Sequence, residues 1–316
     1  MSKKVAPRSQ EETPSSGQKA VLLLAHGTPD ALDEIPEYLK NVTGGRSLPK
    51  RVIEEIQHRY SLIGASPLTK LTMEQAQLLS QQLNLSVYVG MRNWKPYIAD
   101  VVRTMRADGI TEFVTICLAP QNSRTSVGLY RQAVFAKAGD MRVDFIEGWA
   151  DHPILADAFA ERLRAVWTSG TPVLFTAHSV PCRTIQSSVD ANADPYAIEA
   201  KRTAAKVAER VGLAPEEWFF AFQSQGQSSG PGNSWIGPTV EDTLTALRQQ
   251  DVERLIVQPV GFLCDHVEIL YDIDIAFRQF AAYLGMELLR PQSLNDSRLL
   301  TEALADLARQ GLARLD

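Results

Sequence analysis

A chain of 316 residues that is 45% apolar and 22% charged has material for one large α/β domain or two of ordinary size. Its formal charge of -5, with no basic run dominating any segment, excludes a polyanion-binding surface, so no nucleic-acid partner is expected. Three cysteines, Cys117, Cys182 and Cys264, stand apart without CxxC spacing, which excludes a zinc or four-thiolate site assembled from them alone and suits a reducing compartment.

Residues 1–18 are polar, lack the apolar stretch of a secretory signal and read as a disordered leader. No later apolar run reaches the roughly 18 residues needed to cross a bilayer, so a soluble, cytoplasmic protein is expected. Beyond the leader, β-branched and leucine-rich runs at 21–25, 87–90, 113–118, 143–146, 173–177, 219–223 and 255–259 predict strands. Residues 73–83 carry apolar side chains at helical spacing, and 98–105 follow Pro96, which predicts helices crossing between strands. Strand alternating with helix predicts parallel sheets.

The run VLLLAHGTP at 21–29 returns as VLFTAHSVP at 173–181, with Val, Leu, Ala, His and Pro in register. This predicts a duplicated architecture in which each half opens with a buried strand ending in Ala-His and a tight turn. Ligands of open α/β sheets lie beyond the carboxyl ends of the strands, where His26 and His178 both stand. They are candidates for one cleft between the halves; the plainer reading has each imidazole satisfying backbone groups at a strand end.

His178 precedes Pro181, so the chain must turn with the imidazole near the sheet edge, where a neutral ring can take a proton or a metal. No GxSxG elbow surrounds Ser179, and HExxH is absent, which argues against a serine hydrolase or a zinc peptidase. The segment 222–244 sets Gly226, Gly230, Gly232 and Gly237 around Trp235. That indole either pins a loop to the core or shapes a cleft for a flat ligand. After the strand at 255–259 comes GFLCDHVEILYDID, with Asp265, Glu268, Asp272 and Asp274 close together. Glu268 and Asp272, at i and i+4, share one face of a helix, which is either a solvated face or a path for a divalent cation. Val267, Ile269, Leu270 and Ile273 make this helix largely apolar and an unused buried carboxylate costly.

In order, AHGTP (25–29), RYSLIGASPL (59–68), YVGMRNWKPY (88–97), LAPQNSRTSVGLY (118–130), TAHSVP (176–181), FQSQG followed by SWIGP (222–238) and PVGFLCDHVEILYDID (259–274) resemble the ferrochelatase family over nearly all of residues 20–315. The resemblance implies an α/β fold of two Rossmann-like lobes, parallel sheets flanked by helices, with a porphyrin cleft between them and no nucleotide. The division expected is 19–150 and 151–296 for the lobes, with 297–316 a helix packing back on them. The implied reaction is insertion of Fe²⁺ into a porphyrin in haem biosynthesis, a lyase activity that needs no prosthetic group and takes iron as substrate.

His178 and Glu268 match the family's metal-site histidine and glutamate, and Asp272 continues the acidic row. Arg59, Tyr60, Ser66 and Tyr130 match porphyrin-contacting positions of the short bacterial branch that resembles coproporphyrin ferrochelatases, and Trp235 is assigned to the same cleft. That branch has a tyrosine able to ligate product iron where this chain has His26. Thr43 stands where many of its members carry an arginine, with Arg46 as a substitute, and Ala276 interrupts the acidic row. The expected mechanism bends the ring between the cleft walls while His178 accepts a pyrrole proton and Fe²⁺ arrives along Glu268 and Asp272. Coproporphyrin III is the favoured substrate, with protoporphyrin IX the alternative and a non-catalytic tetrapyrrole or metal carrier the reading outside enzymes. Partners are the porphyrin and the haem product, with room for transient contact with haem-pathway enzymes or a membrane surface.

Overall fold

The computed structural model describes residues 18–185, 194–225 and 234–316. The leader expected at 1–18 lies outside them except for Gln18, which already opens the first strand. Gly226, Gly230 and Gly232 lie outside them too.

Each predicted run forms a strand: β1 (Gln18–Ala25), β2 (Ser86–Met91), β3 (Ile110–Cys117), β4 (Arg142–Ile146), β5 (Val173–His178), β6 (Trp218–Gln223) and β7 (Arg254–Pro259). An eighth, β8 (Glu287–Leu289), has only 3 residues. Two four-stranded parallel sheets result, in the orders β2-β1-β3-β4 and β6-β5-β7-β8. The same order twice is the duplication made visible. Central strands of parallel sheets are covered on both faces and so need continuous aliphatic runs rather than alternation. β1 and β5 meet that requirement, Leu22 facing Tyr88 and Thr115 and Phe175 facing Phe220 and Gln258 across the sheets.

The helices in chain order are α1 (Ile35–Val42), α2 (Lys50–Ile63), α3 (Leu68–Leu83), α4 (Ile98–Ala107), α5 (Val127–Ala138) and α6 (Pro153–Arg164). They continue with α7 (Cys182–Ile185), α8 (Tyr196–Val211), α9 (Val240–Arg248), α10 (Val267–Leu270), α11 (Arg278–Tyr283) and α12 (Arg298–Leu315). α3 starts earlier than its apolar spacing predicts, because Thr72 joins Gln75, Ala76 and Leu79 in one buried stripe. Between α10 and α11 the chain is not a regular α-helix: Asp272–Phe277 winds as a π-helix, with Ala276 N–H donating to the Tyr271 carbonyl at 2.9 Å. Such wide turns collect at functional sites.

One continuous buried cluster joins the sheets. It runs from Val21, Leu23 and Val114 through Leu155, Phe159 and Leu163 of α6 and Leu304 and Ala308 of α12 to Val173, Phe175 and Ile256. Each of its valine, leucine, isoleucine and phenylalanine side chains contributes roughly 1.5–3 kcal/mol by leaving water. α12 returns from the second half to lie on α3, α6, β3 and β4 of the chain's first part, and Arg314 closes it with a two-pronged bond to Asp144 at 2.8 Å each. No described helix is long and apolar enough to cross a membrane.

Candidate active site between the two sheets

The carboxyl ends of β1 and β5 open onto one cleft of about 1290 Å³, its mouth included. His26 stands on one wall and His178 on the other. Past His26 the chain turns at Gly27 with φ of 87°, and a Cβ there would sit 2.8 Å from the Trp94 backbone nitrogen, so only glycine fits. The loop after β3 is stitched to the second half. Gln121 Nε2 donates to the Val260 carbonyl at 3.0 Å, Asn122 N–H to Glu199 at 2.6 Å, and Arg124 N–H and Ser123 Oγ to Asp194 at 2.8 and 3.1 Å.

Across the cleft floor His178 Nε2 faces Glu268 Oε1 at 3.5 Å, each side chain about a third exposed to the cleft at 33% and 34%. His178 Nδ1 donates to the Ser179 carbonyl, so both ring nitrogens face acceptors. Enclosure alone would lower the His178 pKa, yet the charge and hydrogen bond of Glu268, with the Ser179 carbonyl, outweigh it and push the imidazole up to about 9. Enclosure would likewise raise Glu268, and the His178 cation overrides it, holding the carboxyl down at about 2. The resting pair is therefore an imidazolium and a carboxylate.

Two groups hold the Glu268 backbone. Its N–H donates to His266 Nδ1 at 3.2 Å, making His266 the N-cap of α10. Its carbonyl accepts from Gln223 Nε2 at 2.8 Å, and Gln223 Oε1 accepts in turn from Thr176 at 2.7 Å. On the other side Tyr196 O–H donates to the His178 carbonyl at 2.8 Å.

Asp272 lies behind Glu268, buried, with Ser224 Oγ donating to it and Arg59 Nη1 at 3.8 Å. Burial raises its carboxyl, against the Ser224 bond and helped by Glu268, to about 6. The remaining acids of the segment are used elsewhere. Asp265 accepts from Ser293 and Asn295, and Arg290 binds Asp274 with two nitrogens at 2.8 and 2.7 Å while reaching Asp265 at 3.3 Å.

On the opposite wall the His26 ring, open to the cleft, has the Asn93 amide nitrogen 3.1 Å from Nε2 and the Tyr38 ring edge-on at 6.3 Å. Enclosure by the wall and then the Arg92 cation push its pKa down to about 4, so the ring is a neutral donor of a nitrogen lone pair at neutral pH. Tyr60 and Tyr130 are buried in the same wall, Tyr60 sharing a hydrogen bond with Thr28 at 3.0 Å.

A family model described as Ferrochelatase matches residues 18–312. The chain belongs to the ferrochelatase family. It is 64% identical to a ferrochelatase of Acidobacterium capsulatum over 314 residues, 94% of this chain and 95% of that one. It is also 34% identical to a coproporphyrin III ferrochelatase of Geobacillus kaustophilus, covering 91% and 94%. In fold it is similar to the sirohydrochlorin chelatase of Bacillus subtilis subspecies spizizenii in complex with cobalt, at a TM-score of 0.56, 11% identity and coverage of 94% and 96%. The chain is thus a porphyrin-metal chelatase, a lyase, of haem biosynthesis, with the two Rossmann-like lobes that the family resemblance implies.

Within the ferrochelatase cleft the structure brings together His26, Tyr60, Tyr130, His178 and Glu268. Asp272 is not part of the lining but is buried beside Ser224 and Arg59, and the remaining candidates are not brought in either. Arg59 turns away, bonded to Glu55 at 2.5 Å and stacked over Tyr271 at 5.2 Å, because α2 offers it Glu55 one turn back. Ser66 is buried behind the wall with its hydroxyl unpartnered. Trp235 bridges Pro181 in an antiparallel pair, tying its loop to the turn after His178. Thr43 closes α1 by donating to the Leu39 carbonyl at 2.9 Å, and the exposed Arg46 folds back on the Thr43 carbonyl at 3.2 Å. Arg92 and His266 were missed, though both follow or cap an element whose end forms the cleft.

Proposed function

We propose that this ferrochelatase inserts Fe²⁺ into coproporphyrin III, with His178 and Glu268 as the catalytic pair and Asp272 on the metal's route. The observation that carries the reading is the His178–Glu268 pair, 3.5 Å apart at the floor of the cleft that His26 faces from the other wall. A divalent cation approaching Glu268 repels the imidazolium proton into water. The freed imidazole then accepts the two pyrrole protons in turn, passing the first to cleft water before it takes the second, while Glu268 steadies each imidazolium and the porphyrin nitrogens take the iron. Asp272, whose carboxyl is poised near neutrality, passes the cation to Glu268. Iron is a substrate here and the reading calls for no prosthetic group. His26, neutral on the far wall, suits axial ligation of product iron. Release of the haem to a following enzyme or a membrane surface by transient contact belongs to the same reading.

Coproporphyrin III is favoured by the hydroxyl-rich first wall, with Thr28, Tyr38, Tyr60 and Tyr130, which suits a ring carrying carboxylates along its whole edge. The similarity to coproporphyrin III ferrochelatases points the same way. Anaerobic turnover with Fe²⁺, offering coproporphyrin III and protoporphyrin IX separately, tests it. Faster turnover of coproporphyrin III is expected, and preference for protoporphyrin IX overturns the substrate. His178→Ala should bind porphyrin and lose at least about a hundredfold in turnover; retained turnover removes His178 from its role.

A further inference from the structure

Among the described residues, one guanidinium in the cleft wall has no carboxylate beside it. Arg92 follows β2 directly and sits beside His26, its own N–H bonded to the Ala25 carbonyl at 3.1 Å. Among the described residues its Nη1 reaches only the Thr125 carbonyl, at a long 3.3 Å, and its Nε is buried with no acceptor. Its plane lies over the Tyr130 ring at 5.7 Å. Among the described residues Glu268 is the only carboxylate of the cleft wall, and it is taken by His178. A half-buried cation with no carboxylate beside it is costly to keep unless a ligand brings one to the part of the guanidinium that lines the cleft. A planar guanidinium is matched in shape by a carboxylate, which it grips with two parallel bonds. The hydroxyls of Thr125 and Ser126 line the same corner and add donors for such a group.

We propose that Arg92 is a specificity-determining residue that receives one carboxylate of the porphyrin edge, in the corner made by the ends of β1, β2 and β3. Arg92 thereby selects carboxylated tetrapyrroles over neutral ones and fixes the rotation of the ring about its own axis. The assignment rests on the reading of this cleft as the porphyrin site.

The test compares wild type, Arg92→Met and Arg92→Lys on four substrates in one detergent: coproporphyrin III, its tetramethyl ester, protoporphyrin IX and its dimethyl ester. In the wild type the free acid has the lower KM. Arg92→Met should raise the KM of the acid roughly ten- to a hundredfold, with kcat changed far less and the ester untouched, so that the acid-to-ester difference collapses. Arg92→Lys keeps a point charge without the paired bonds and should fall between, and it answers the question should the methionine variant fold poorly. An equal rise for acid and ester, or a loss confined to kcat, overturns the proposal. Which free acid the wild type prefers judges the coproporphyrin reading separately. If the wild type turned over none of them, the same ratio read as Kd from quenching of tryptophan fluorescence would still decide Arg92.

Discussion

Glu268→Gln removes the charge that holds a proton on His178 and leaves the side chain's shape. Wild-type His178 is pushed from an ordinary 6.5 up to about 9 across a 3.5 Å gap, although burial, the largest influence on it, acts downward. With the glutamate neutral, only the Ser179 carbonyl and Asp272 still favour the cation, so the midpoint should fall to 6.5 or below. Stability must follow. A histidine with a raised pKa stabilises the fold fully below 6.5, and that contribution is lost as the pH climbs through about 9. Glu268, lowered from 4.5 to about 2, contributes above 4.5 and loses its effect as the pH falls through about 2. Because a third of each side chain meets cleft water, the pair is worth about 1 kcal/mol, the upper end for screened pairs. NMR of ¹³Cε1-labelled histidine reads the midpoint directly, since the chain has only 5 histidines and His178→Asn identifies the resonance. The difference in unfolding free energy between wild type and Glu268→Gln should shrink from pH 7 to pH 9.5. A His178 midpoint that moves by less than about half a pH unit in Glu268→Gln refutes the argument.

Gly311→Ala places a methyl 2.5 Å from a Val114 methyl and 2.7 Å from Asp144 Oδ2. The clash should exceed the helix-propensity gain of about 1 kcal/mol and lower Tm; an unchanged or raised Tm shows that α12 can shift on the sheet. Gln223→Leu leaves the buried Thr176 hydroxyl without its acceptor and frees the Glu268 carbonyl. It should cost about 1–3 kcal/mol of stability and lower kcat more than it raises KM, while unaltered kcat means that Gln223 does not position Glu268. Asp272→Asn tests the raised carboxyl: wild type loses stability as the pH rises from 3.8 through about 6, so the variant should gain on it between pH 4.5 and 7.5 in denaturant titrations. The opposite trend would mean that Arg59 and Ser224 outweigh burial.

Most strands were legible because β1, β3, β5 and β7 are buried on both faces and write continuous aliphatic runs. β8 escaped because a short edge strand needs no such run. The acidic segment was harder. Spacing placed Glu268 and Asp272 together, but nothing local shows that Arg290, far along the chain, claims Asp265 and Asp274, or that the helix widens after Tyr271. Arg59 had a local signal in Glu55, four residues earlier, that competes with any ligand for its charge. Arg92 could have been found by the rule that singled out His26 and His178, since it too directly follows the carboxyl end of a parallel strand.

The loop after β3 makes the two flanks of the cleft mechanically unequal. On its side, bonds from Gln121, Asn122, Ser123 and Arg124 weld the lobes together, and separating them means breaking several hydrogen bonds at once. On the α2 side the lobes meet through Val267, packed on the cluster of Ile35, Tyr38, Leu39, Tyr60 and Trp94, and through Arg59, at 3.8 Å from Asp272 and over the face of Tyr271. Only the Arg59 part of that contact is of the kind that salt screens, so if this flank is the one that yields to a rigid macrocycle, the rate at which the finished product leaves should quicken modestly with ionic strength.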